Sequence, residues 1–156
     1  MFDLQPGVIV FIASMLPFTE LRGAIPLGIG QYGLNPLHTF VLGVAGNIVP
    51  VVFLLHYLGP IEKWLRRYSV FDRFFEYLFH RTHAKHSEKV DKYGSLALIG
   101  FVAIPLPVTG AWTGVAIAYV FDLKKRYAFP SIVTGILIAG VIVTLATIGV
   151  INGFLK

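Results

Sequence analysis

The chain contains no cysteine. This excludes a disulfide framework, a thiolate metal site and a cysteine nucleophile. Charge is scarce as well: Asp, Glu, Lys and Arg make up 13% of the 156 residues, 56% are hydrophobic, and mean hydropathy is +0.74. A soluble domain of this length rarely carries so little charge, so the composition is that of an integral membrane protein. Met1-Phe2-Asp3 lacks the basic segment of a cleaved signal peptide, so the first apolar run is expected to stay in the mature protein. There is no Ser-His-Asp set, phosphate-cradling glycine loop or metal motif. An enzyme is therefore not expected, and no cofactor is implied. His80, His83 and His86 recur every three residues, but no carboxylate or thiolate stands at a suitable spacing. They read as a solvated or headgroup-contacting face rather than a zinc site. The net charge of +5 comes from Lys and Arg clustered beside apolar spans, so anionic lipid headgroups, not nucleic acid, are the expected counter-charge.

What the chain does have is a broken apolar stretch, LPFTELRGAIPLGIG, from Leu16 to Gly30. Glu20 and Arg22 stand two residues apart between two prolines. The runs on either side, Val8–Leu16 and Ala24–Leu34, are each shorter than the about 20 helical residues that cross a bilayer. Pro17, Gly23 and Pro26 oppose one continuous helix. Non-helical backbone at membrane depth survives where it is buried in protein or lines a wet cavity, so the stretch reads as a helical hairpin or broken helix. The plan returns in IPLPVTGAWTG, residues 104–114, where Leu96–Ile104 and Ala111–Phe121 flank a proline-containing turn. Aligning Gly23 with Gly110 without gaps pairs Ala24 with Ala111, Tyr32 with Tyr119 and Asn35 with Asp122. The chain therefore reads as a two-fold internal repeat, one half about 4–59 and the other about 95–156, within a single membrane domain.

Asn35-Pro36 has the form of an N-cap followed by proline at the first helical position. From there Leu37–Leu58 is long enough to cross, with Gly43 and Gly46 allowing close helix approach. Asn47 and Pro50 interrupt this span and should face protein. The connector, about 60–94, is different. Ile61, Trp64, Leu65, Tyr68, Phe71, Phe74, Phe75 and Leu78 fall at helical spacing, with Lys63, Arg66, Arg67 and Arg73 between them, the pattern of a basic amphipathic helix in the membrane interface contacting lipid headgroups. Glu88 and Lys92 are placed for an i,i+4 pair, and Gly94 is the expected stop. Asp122 is expected to be a helix cap. The last span, about Ala128 to Leu155, is almost wholly apolar, with Pro130 as a kink.

Charge selects the topology. If each broken unit is re-entrant, the connector and the turn at 122–126 share a side, and eleven of the thirteen Lys and Arg lie there. If each unit crosses, the two are split. Cytoplasmic loops favour Lys and Arg, so the hairpin arrangement is preferred, with both basic segments cytoplasmic. Each half is then a re-entrant helical hairpin plus one transmembrane helix, an odd number of crossings, and the two halves are inverted. The expected fold is thus all-α and integral to the inner (cytoplasmic) membrane, an inverted repeat joined by the interfacial helix, which is a transporter architecture.

The string FTELRGAIPLGIG, the Asn-Pro span after it and the PLPVTGAWTG turn resemble the putative small multi-drug export family across nearly the whole chain, and more distantly the DedA-type membrane proteins. The resemblance implies paired re-entrant hairpins in inverted repeats and a transport role. The DedA relatives imply proton-dependent movement of phosphorylated lipid carriers such as undecaprenyl phosphate. Glu20 corresponds to the acidic residue at the first hairpin tip. Gly33, Asn35, Gly46 and Tyr57-Leu58-Gly59 resemble the rest of that half, and Lys92-Tyr93-Gly94 and Pro105 the opening of the second. DedA proteins carry an arginine after the second-hairpin proline, where this chain has Pro107, Val108 and Thr109. Arg22 is the candidate to supply that charge.

The expected substrate and proton site is Glu20, Arg22, Asn47, Pro105, Pro107, Thr109 and Gly110. A carboxylate that alternates between buried and wet surroundings beside a guanidinium can take up and release a proton, and arginine suits bidentate contact with phosphate. The opposing tip offers carbonyls, a hydroxyl and short-helix N-termini. The leading expectation is a proton-coupled transporter of an amphipathic or anionic substrate. The alternatives are a multidrug exporter, with Glu20 as counter-charge to a cation, and a scaffold binding anionic lipid. Two crossing spans are few to seal a path, so a homo-oligomer is expected.

Overall fold

The computed structural model describes residues 5–65, 67–68, 88–105 and 110–154. Arg66, Arg73, Pro107, Thr109, the three histidines 80, 83 and 86, and most of the aromatic stripe lie outside the described residues, as does the side chain of Glu88.

Two short helices and a long one occur twice in order. The first set is α1 (Pro6–Met15), α2 (Glu20–Pro26) continued by a π-helical segment (Leu27–Gln31), and α3 (Pro36–Leu65). The second is α4 (Glu88–Ala103), α5 (Ala111–Val120) and α6 (Lys125–Phe154). No strand occurs among the described residues. α1 has Pro6 at its start, where a missing N–H costs nothing. It ends because Leu16 precedes Pro17 and is pushed to ψ 141°. Inside α2, Pro26 has no N–H for the carbonyl one turn back, and the chain loosens into the π segment just beyond it.

Both short-helix pairs double back. A Cβ on Gly28 would lie 2.8 Å from Val10 Cγ2 in the middle of α1, and one on Gly114 of α5 would lie 2.6 Å from Val102 Cγ2 in α4. Helices of ten residues are roughly 15 Å long, half of the roughly 30 Å hydrocarbon thickness. Only α3 and α6 are long and apolar enough to cross a membrane among the described helices.

Local signals start the long helices. The Asn35 side chain accepts from Leu37 N at 2.9 Å and His38 N at 3.3 Å, so the N-cap reading of Asn35-Pro36 holds. α5 ends in a Schellman motif: Leu123 N donates to Ala118 O at 2.9 Å and Asp122 N to Tyr119 O at 3.0 Å, with Asp122 at φ +50°. Asp122 therefore caps the end of α5 through its backbone.

Three expectations are corrected. Pro50 does not interrupt α3, which runs on through Pro60 to Leu65, so the helix expected to end at Leu58 takes in the start of the connector. In apolar surroundings no water replaces a broken helical bond, so the helix continues past each proline. Gly94 is not a stop; it lies inside α4 and leaves room for Leu123, whose Cδ2 would be 3.0 Å from an added Cβ. Gly23 and Gly110 do not hold equivalent places, since Gly23 is inside α2 and Gly110 precedes α5. The left-handed residues correspond instead: Gly33 (φ +61°) and Asp122 each stand three positions before a long helix. The π segment lengthens the first hairpin's returning arm, which displaces the gapless alignment.

The long helices are antiparallel. Gly140 packs on Phe40 and Val44, while Leu55 and Lys125 line one cavity. α1 packs on α3 and α4 on α6, and each returning arm also reaches the other set's long helix, α2 on α6 and α5 on α3. The core forms there, from Leu21, Ile25, Leu98, Val102, Val115, Ile132 and Ile136. Val41, Val52, Phe53, Leu145 and Val150 on the long helices are left more than 40% exposed, an apolar perimeter suited to lipid.

Candidate functional site

The four-residue turn 16–19 is held by one of its side chains and by its backbone. The Thr19 hydroxyl donates to Ala13 O, and Glu20 N donates to Leu16 O at 2.9 Å. Ser14, the last buried residue before the turn, donates its hydroxyl to Gly43 O and fastens the hairpin to α3. Glu20 follows at φ +45°, and its side chain is only 6% exposed.

A carboxylate in such a place needs partners, and it finds them at the second hairpin. Trp112 N, in the first turn of α5, donates to Glu20 Oε1 at 3.4 Å. A Cβ on Gly110 would overlap the same carboxylate. Gly110 is in extended backbone that any residue can adopt, so glycine is required there for space. The Glu20 carboxylate thus rests at the N-terminus of α5, where unpaired N–H groups and the helix dipole favour negative charge. The contact is locked from the other direction, because the Trp112 indole Nε1–H donates to Met15 O at 3.2 Å, at the end of α1.

Arg22 completes the cross-connection. It is half-buried on α2, and its guanidinium donates to Ile104 O at 3.4 Å, the carbonyl just before Pro105. The cation of the first hairpin therefore stands at the tip of the second. Beside it an apolar cleft of about 430 Å³ runs between Pro26, Gly30 and Pro105 on the hairpins and Val143, Thr147 and Ile151 on α6.

Asn47 is 1% exposed, and its side-chain oxygen has no hydrogen-bond partner among the described residues. Gly43 lies against Ile25 and Leu21, so Asn47, one turn further along α3, is placed at the depth of the hairpin tips. The structure therefore joins Glu20, Gly110, Arg22 and the Ile104–Pro105 corner, and sets Asn47 at their level. Of the expected headgroup contacts, Lys63 and Arg67 are exposed at and just beyond the end of α3.

Trp112 was not among the expected site residues. A lone Trp in an otherwise small-residue segment, just after the Pro-Val-Thr-Gly turn, was the available signal. An aromatic with a polar N–H buried among aliphatics normally has a partner. Among the described residues, no group of His, Cys, Asp and Glu could hold a metal ion.

A family model described as Putative small multi-drug export protein matches residues 20–142. No curated protein and no solved structure matches the chain.

Proposed function

The chain belongs to the putative small multi-drug export protein family, and from that premise we propose that it is a proton-coupled membrane transporter of an amphipathic substrate. The export role is the family's. The coupling and the substrate class are read from the site. The observation that carries them is the Glu20 carboxylate at the N-terminus of α5, in the place an anionic ligand would take.

Protonation removes the charge that the helix N-terminus holds. A neutral Glu20 binds there more weakly, and the vacated donors, with Arg22 beside them, can take an anionic headgroup. An anion and a proton then bind together, so their movements are coupled in one direction. The apolar cleft beside Pro105 accommodates the hydrophobic part of the same molecule. A phosphorylated isoprenoid fits this description and is the substrate class that the DedA-type resemblance implies. Arg22 at the Ile104–Pro105 corner supplies the cation that the second tip otherwise lacks.

The repeated element order, the antiparallel long helices and the short doubled-back pairs support a reading as two inverted halves, each a re-entrant hairpin and one crossing helix. Exposing the joined tips alternately to either side would give alternating access. Glu62, Gly94, Leu123 and Lys125 are linked by contact at one end of the bundle, which supports a common cytoplasmic side for both basic segments in an inner membrane. Enzymatic activity has no part in this reading, and a homo-oligomer would complete the seal around the path.

A second reading has its own support, since the family's description is multidrug export. A cationic drug would pair with ionised Glu20 and exchange against a proton. Transport into proteoliposomes separates the two. Under the leading reading a long-chain isoprenyl phosphate moves, responds to a pH gradient and stops in Glu20→Gln. Movement of lipophilic cations alone, abolished by the same substitution, would replace it with drug–proton exchange. Silence of the folded protein with both would leave the lipid-binding scaffold.

A further inference from the structure

A second site lies at the far end of α5, about 15 Å from the Glu20 contact by the length of a ten-residue helix. Two cavities of about 240 Å³ each meet there across Leu123. The first is wholly apolar, lined by Gly94, Ala97, Leu98 and Phe101 of α4, by Ile117 and Phe121, and by Leu123. The second carries the charge. Tyr119, Asp122, Lys124 and Lys125 line it, together with Leu55, Ala118 and the other side of Leu123.

The dividing wall is fixed by the fold. The Schellman motif at the end of α5 aims Leu123 back onto Gly94, where an added Cβ would lie 3.0 Å from Leu123 Cδ2. The polar border is fixed as well, because the Tyr119 hydroxyl donates to Glu62 of α3. Lysines outnumber carboxylates on the lining, two to one. Each cavity is smaller than the roughly 300–1,000 Å³ of sites that enclose a whole ligand, so each can seat only part of one, on either side of Leu123.

A ligand that fills both must be amphipathic, with an anionic head and a hydrocarbon chain. We propose that this end of the protein binds one anionic phospholipid of the surrounding bilayer. Its phosphate lies against Lys124 and Lys125, and part of one acyl chain lies in the cavity between α4 and α5. The site shares no residue with the hairpin tips and does not depend on the transport reading. Its effect is to tie the end of the second hairpin to the membrane surface, so lipid charge would set how firmly that hairpin is held.

Native mass spectrometry of the full chain, released from micelles containing phosphatidylglycerol or phosphatidylcholine, counts the retained lipid. The expected result is one phosphatidylglycerol retained roughly thirtyfold over phosphatidylcholine, a preference of the size that two lysines give at an anionic surface. Lys124→Gln with Lys125→Gln should remove the preference. Ala97→Phe, which fills the apolar cavity, should lower retention of both lipids. Lys63→Gln with Arg67→Gln, basic residues at the same end but outside the cavities, should leave one phosphatidylglycerol in place. Equal retention of the two lipids by the wild type would overturn the proposal. So would loss of phosphatidylglycerol in the Lys63/Arg67 variant to the same degree as in the Lys124/Lys125 variant, because the preference would then belong to diffuse surface charge.

Discussion

Glu20 begins α2 in left-handed backbone, which for a non-glycine residue costs of order 1–3 kcal/mol and persists where the surroundings over-determine it. Here the surroundings are the second hairpin. Gly110 leaves the space, Trp112 N supplies the donor, and the indole ties α5 to the end of α1. Gly110→Ala should therefore destabilise the protein by about 1–3 kcal/mol, the usual cost of an extra methyl in a packed site. In a Glu20→Ala background the same substitution should cost less than half as much, since the atoms it meets are gone. Thermal unfolding of the two single variants and the double variant closes the cycle. Additive costs would mean that Gly110 is required for something other than the carboxylate. Glu20 itself was legible in the sequence as an ionisable residue in apolar surroundings. Its partner was only half legible. Ninety residues separate Glu20 and Gly110, and nothing local in either string says that a carboxylate will rest on one helix start.

At the level of elements, glycines of two kinds sit on α6. A Cβ on Gly135 would lie 2.6 Å from Val102 Cβ and 3.0 Å from Ile99 O, at the seam between α4 and α6, whereas nothing lies within 4 Å of one on Gly149. Gly135→Ala should lower stability by about 1–3 kcal/mol. Gly149→Ala should raise it by about 0.5–1 kcal/mol, the helix preference of alanine over glycine. Melting temperatures in one detergent would show opposite shifts; shifts of the same sign would mean that the α4–α6 seam is looser than its packing implies. Features that depend on neighbours along the chain were readable in advance: the Asn35-Pro36 start, the break at Pro17, the short apolar arms. Features that depend on distant packing were not. Pro50 read as an interruption because a proline removes a hydrogen bond, yet the apolar surroundings keep the helix intact around it. Gly94 read as a stop because it is a glycine, and its use is to receive Leu123. The recurrence of two short helices before a long one was visible, but the gapless alignment stands two residues out of register with the left-handed turns at Gly33 and Asp122.

For the whole molecule, the arrangement of charge is the most informative feature. Among the residues whose side chains are described, Glu20 and Arg22 stand alone at the hairpin tips. The remaining charged groups, Glu62, Lys63, Arg67, Lys92, Asp122, Lys124, Lys125 and Arg126, belong to the end where α3 finishes and α6 begins. Single cysteines at Lys92 and Lys125 in this cysteine-free chain should both react with a membrane-impermeant maleimide from the cytoplasmic side only. Labelling from opposite sides would mean that the second unit crosses the membrane, and the inverted arrangement would fail with it.

The central claim is that Glu20 exchanges a proton as substrate enters or leaves the α5 N-terminus. The most direct measurement is proton uptake or release on ligand binding, read with a pH indicator in weakly buffered micelles, for the wild type and Glu20→Gln. The account predicts that a long-chain isoprenyl phosphate draws up to one proton per chain bound to the wild type and none to the variant. Binding of the phosphate with no proton movement in the wild type, or with the same movement in Glu20→Gln, would contradict it.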